Sequence, residues 1–159
     1  MAFYRFVDYA LQFRKDPYPV RCAVVSPGGS ADPTLTEHLV SRYLRIDKTV
    51  PGSIELDKIL LHGPNIAWTV KEFCQQSYSL TKVSHKGARI VAENKGSNRF
   101  DITCENVAEF TLFLAPGMAD VTQEVSLCVN GSEIRALPVL SQEKKDYSHQ
   151  VKISLQDLI

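Results

Sequence analysis

At 159 residues the chain has the length of one domain and can bury a core without help from disulfides or metals. Its 44% apolar and 23% charged content exclude a globally disordered polymer. Eighteen basic residues balance eighteen acidic ones. The basic excess of a nucleic-acid-binding surface is therefore missing, and no apolar run reaches the roughly 18 residues that span a bilayer.

The first element reads as a helix. Phe3, Phe6, Val7, Ala10, Leu11 and Phe13 recur at spacings of three and four, giving one apolar face. Arg14 and Lys15 suit the negative end of a helix dipole, and Asp16-Pro17-Tyr18-Pro19 forces the chain to be extended. Arg5 and Asp8 interrupt this stretch and no small-residue cleavage site follows, so a signal peptide is not expected. The compartment stays open between the cytoplasm and export as part of a longer protein.

From Val20 the pattern changes to short runs. Strands are expected over Val20–Val25, His38–Ile46 and Ile54–Leu61, with loops at Pro27-Gly28-Gly29 and Pro51-Gly52. Residues 66–80 fit either an irregular strand or a short helix. Ala88–Glu93 is the next strand, and Asn94–Asn98 is a turn cluster. Phe100, Ile102 and Cys104 alternate with polar neighbours, as do Phe110, Leu112 and Leu114, although Phe113 breaks the polar face of that strand. Val125–Val129, Ile134–Val139 and Val151–Leu155 complete the set, with a polar stretch, Ser141–Asp146, before the last.

Asn130-Gly131-Ser132 poses a choice. It fits the acceptor pattern for N-glycosylation, and Asn130-Gly131 between apolar alternations is also a strong hairpin signal. The flanking Val125, Leu127, Val129 and Ile134 favour a two-residue turn of type I′, with both central residues at positive φ.

Short strands punctuated by turns every 8 to 12 residues predict an all-β antiparallel sandwich, jelly-roll or Ig-like. One N-terminal helix and its junction occupy residues 1–19, and the sandwich occupies 20–159. The helix has no place inside such a core, so its apolar face calls for another surface.

Chemistry-bearing constellations are sparse. Cys22, Cys74, Cys104 and Cys128 lie far apart without a C-x-x-C pair or a His partner, so free thiols are expected and a zinc site is not. There is no G-x-S-x-G pentapeptide for a hydrolase nucleophile. His38, His62, His85 and His149 stand in separate segments with no recurring acid partner. Glu105, Glu109, Asp120 and Glu124 are the carboxylates near turns, and Asp120 fits either loop closure or a calcium ligand. Trp68, Tyr78, Tyr43 and Tyr147 are the rings available for stacking on sugars. Lys144-Lys145 reads as a solvated turn. No catalytic, cofactor-binding or metal-ligating residue is nominated, and no cofactor is expected.

One stretch, residues 87–131, carries a family pattern. An extended segment and turn lead to Asn98-Arg99-Phe100-Asp101-Ile102-Thr103-Cys104, then Glu105-Asn106-Val107, a loop with Pro116, then Asp120, and a strand ending Val129-Asn130-Gly131. This resembles the C-terminal β-sandwich that follows the catalytic domain in a group of bacterial α/β-hydrolases, esterases and prolyl-oligopeptidase-like peptidases. The Arg14–Pro19 junction is similar to the one that joins the last hydrolase helix to that sandwich. The likeness covers residues 1–25 and 87–159, while 47–86 departs from it. It implies a non-catalytic accessory domain whose partner is an upstream α/β-hydrolase domain, with nucleophile, acid and histidine all upstream. It would also seat the orphaned helix. The alternative is a free-standing module that binds carbohydrate or a surface partner, with homo-oligomer contacts open to it. A third reading is a small enzyme with an unfamiliar site.

Overall fold

The computed structural model describes residues 16–27, 40–62 and 77–158. Among these the chain is nearly all β, and its eleven strands form two mostly antiparallel sheets. The helix expected over residues 3–13 lies outside the described residues, as do Trp68, His38 and Cys74.

The strands are β1 (Arg21–Pro27), β2 (Val40–Ser41), β3 (Leu44–Thr49), β4 (Ser53–His62), β5 (Ser77–Gly96), β6 (Arg99–Glu105), β7 (Val107–Leu114), β8 (Val125–Val129), β9 (Ser132–Ala136), β10 (Val139–Leu140) and β11 (His149–Ser154). One sheet runs β1-β5-β6-β8-β9, with β4 paired to β5 beyond it. The other runs β10-β11-β7-β3-β2. All pairs are antiparallel except β6 with β8.

Alternation explains which sheet faces meet. Phe100, Ile102 and Cys104 of β6, and Val125, Leu127 and Val129 of β8, are buried while their intervening residues are not. They meet Leu44, Ile46, Phe110, Leu112, Leu114, Val151 and Ile153 of the second sheet in one core. Each such buried side chain contributes about 1.5–3 kcal/mol.

Several expected boundaries change, among them the end of the last strand, since Leu155 opens a 3-10 helix over Leu155–Leu158. His38–Ile46 is not one strand: Arg42-Tyr43 makes a tight turn with Arg42 at φ 51°, splitting β2 from β3. No local turn residue marks it. The turn is held by distant groups: the Tyr43 hydroxyl donates to the carbonyl of Val20 (3.2 Å), and the amide of Phe113 donates to the carbonyl of Tyr43 (2.8 Å). Ile134–Val139 likewise divides, because Leu137-Pro138 carries the chain from one sheet to the other, and proline cannot donate to a ladder. The turn in the 94–98 cluster is narrower than expected, since β5 runs through Gly96 and only Ser97 and Asn98 turn, both at positive φ. Finally, residues 77–86 form a strand.

Phe113 stands on the outer face of its sheet, beside Thr111, and both are fully buried. The segment 141–148 covers them. Arg45 lies over the Phe113 ring at 5.1 Å and Lys144 at 5.3 Å, and Tyr147 packs against it at 6.1 Å. Arg45 also pairs with Asp47 (2.6 Å) and Glu143, and donates to the Thr111 hydroxyl (3.3 Å). The guanidinium beside Glu143 holds that carboxyl below its ordinary range.

Candidate functional site

Several asparagines tie the loops that interrupt the strands, and three of them sit at positive φ: Asn98 (57°), Asn106 (58°) and Asn130 (47°). Asparagine tolerates this region because its short polar side chain can bond locally. Here each amide reaches across the fold. Asn130 accepts from the amide of Cys104 (2.9 Å) and donates to the carbonyl of Cys104 (3.1 Å). Its side chain thereby acts as one more peptide group in the β6–β8 ladder. Asn98 does the same with the backbone of Asp120, at 2.7 and 2.8 Å. Asn94 donates to the carbonyl of Met118 (3.0 Å), pinning the same loop.

Asn130 and Gly131 (φ 87°) both lie at positive φ, which is the type I′ turn expected from the sequence. The nitrogen that glycosylation would modify is already engaged with Cys104. A Cβ at Gly131 would meet nothing within 4 Å, so substitution there tests backbone strain alone. Gly131→Val is expected to cost about 1–3 kcal/mol without loss of the fold. Chemical denaturation measures this, and an unchanged midpoint would contradict the turn.

The residues weighed for chemistry are dispersed. His62 bonds Ser79 (2.8 Å) and His149 bonds Ser148 (2.7 Å), while His85 lies exposed opposite Ile54. Among the described residues none of these is ion-paired with a carboxylate. Glu105 pairs with Arg89 (2.6 Å), and Glu109 lies in register with Lys48. Asp120 closes its own loop, accepting from the Thr122 hydroxyl (2.6 Å) and amide (3.0 Å), and these bonds hold its carboxyl below the usual range. The described residues contain no cluster of three or more His, Cys, Asp or Glu that could hold a metal.

Cys22, Cys104 and Cys128 are free thiols, and burial pushes Cys104 up to about 12. Lys144 is not the solvated turn residue expected. Its ammonium lies over Phe113 and Tyr147 and donates to the carbonyl of Arg42, and burial lowers its pKa. Tyr43 and Tyr147 are buried as well, at 0% and 4% exposure, leaving Tyr78 as the exposed one of the described rings weighed for stacking on sugars.

Tyr78 belongs to the surface that sequence reasoning missed. β4 and the first half of β5 pair over ten residues, Ser53↔Lys86 to His62↔Ser77, making a ribbon ~30 Å long. Asn106 anchors its base: its side-chain amide donates to the carbonyls of Gly87 (2.9 Å) and Ser53 (3.2 Å), and its backbone carbonyl accepts from the amide of Val50 (2.9 Å). Beyond that base neither face is covered by the second sheet. Directly opposed residues share a face, so Ile59, Leu80 and Tyr78 lie together, exposed by 61%, 62% and 70%. Asp57 and Lys82 form a salt bridge at 3.8 Å on the same face. A shallow open hollow along the ribbon is lined by Leu56, Lys58, Val83 and His85 among others. A two-stranded ribbon is at best marginally stable by itself in water, and this arrangement offers apolar contact area and, among the described residues, open backbone edges.

No protein family, curated protein or solved structure matches this chain.

Proposed function

We propose that the chain is a non-catalytic accessory domain, an Ig-like or jelly-roll sandwich, that packs on a hydrolase domain of the same polypeptide and shapes access to it or supports its assembly. The observation that carries this reading is the ribbon face with Ile59, Leu80 and Tyr78 exposed, an apolar surface that calls for a second body. The family-like pattern adds support of a different kind. Its asparagines and Asp120 serve as loop ties, which is what a scaffold needs. The carbohydrate alternative would rest on Tyr78, since Tyr43 and Tyr147 are core residues and Tyr18 is partly buried against the core.

The test begins with the parent open reading frame, which is expected to carry an upstream hydrolase domain with G-x-S-x-G. Translation initiating at Met1 with an in-frame stop just before it would overturn the reading. Given the longer chain, Ile59→Ser with Leu80→Ser is expected to loosen the two domains, seen as faster proteolysis between them. The isolated sandwich should keep its melting temperature. Unchanged cleavage would remove the ribbon from the interface.

A further inference from the structure

The far edge of the first sheet carries a pattern that fits itself. β9 is the last strand of that sheet, and among the described residues nothing pairs with its outer side. The amides of Ser126 and Asn130 in and after β8 turn toward β6 (2.8 and 3.0 Å), so the odd-numbered residues of β8 face β9. Val129↔Ser132, Leu127↔Ile134 and Val125↔Ala136 are therefore the bonded pairs. It follows that the N–H and C=O groups of Glu133 and Arg135 point to the open edge.

Pairing this edge with a second copy about a two-fold axis perpendicular to the sheet sets residue 134 against itself. Glu133 of each copy then stands opposite Arg135 of the other. Those two residues carry the free backbone groups, so the same register that forms the hydrogen bonds also brings opposite charges face to face, twice. Directly opposed charges of unlike sign stabilise a strand pair, and like charges destabilise it. Within one chain Arg135 reaches Glu133 two residues away at 3.3 Å, with side chains 70% and 59% exposed, and Glu133 also accepts from the Ser126 hydroxyl at 3.0 Å. Leu137, Val139 and Leu140, on the chain that leaves this edge, are also exposed.

We infer that this protein forms a two-fold dimer by antiparallel β9–β9 pairing, with Glu133 of each copy matched to Arg135 of its partner. The surface lies at the opposite side of the sheet from β1 and does not involve the ribbon, so it stands or falls apart from the accessory-domain reading. Such an association is isologous, and the edge is protected from unlimited growth because each copy offers it once.

Sedimentation velocity tests this at concentrations from about 1 to 300 μM, the range suited to a small interface. The wild-type chain is expected to shift from monomer to dimer. Glu133→Arg and Arg135→Glu each place two like-charged pairs in the register and should weaken association about tenfold or more, with unchanged circular dichroism. Mixing the two single variants should restore a mixed dimer, because one chain then carries arginine at both positions and meets glutamate at both positions of the other. The double swap should restore self-association. A wild-type chain that stays monomeric, single variants that associate as before, or a mixture that stays monomeric would each overturn the inference.

Discussion

Replacing Phe113 with alanine is expected to destabilise the fold by about 3–5 kcal/mol, a cost normally associated with the centre of a core. For a chain of this size that corresponds to a melting temperature lower by roughly 6–20 °C. The reason lies outside the sandwich proper. Phe113 is on the outer face of β7, yet it is fully buried because Arg45, Lys144 and Tyr147 close over it. Removing the ring leaves a void under that layer and strips two cations of an aromatic face. Phe113→Leu fills much of the volume and should cost less, about 1.5 kcal/mol or below. Urea unfolding of the two variants separates packing from chemistry. A loss under about 1 kcal/mol for Phe113→Ala would mean that the 141–148 segment does not seal this face.

Asn106→Ala is the second large effect, expected at about 2–3 kcal/mol from a strained left-handed alanine and two lost hydrogen bonds. Asn106→Gly keeps the backbone relaxed and should cost about half as much, so the difference between the two isolates the strain. Gly52 provides an independent check. A Cβ at Gly52 would lie 2.3 Å from the Asn106 Oδ1 atom, closer than real contacts allow. Gly52→Ala must therefore push the Asn106 amide off Gly87 and Ser53. Alone it is expected to cost about 1–2 kcal/mol, and in the Asn106→Gly background most of that cost should vanish. Additive losses in the double variant would refute the contact. Hydrogen exchange should report the same event as faster opening at the base of the ribbon, around Ser53 and Gly87.

These two sites also show why some of the architecture is legible in the residues and some is not. Strands β6 and β8 are readable because one face is buried and the other wet, which writes an alternation into the residues themselves. The ribbon is wet on both faces over much of its length, so residues 77–86 carry no such alternation to mark them as strand. Phe113 disturbs the alternation in β7 because a remote segment buries the second face, and no local rule anticipates which loop will lie there. Arg42-Tyr43 turns without a turn-forming residue, since the Tyr43 hydroxyl and carbonyl are held by groups far away in the chain. The same holds for the candidate surfaces. Ile59, Leu80 and Tyr78 are ordinary strand residues in the sequence, and only the end of the second sheet leaves them exposed.

What the sequence determined by itself was therefore local: the Asn130-Gly131 turn with both residues at positive φ, and the apolar sets of the alternating strands. Those follow from steric preferences and from the period of two, which act over a few residues. The tertiary structure decided which edges stay open, which polar face is roofed and where each asparagine amide finds its partner. Such outcomes depend on segments brought together from distant parts of the chain, and Asn106, reaching Ser53 across 53 positions, is bound by that geometry alone.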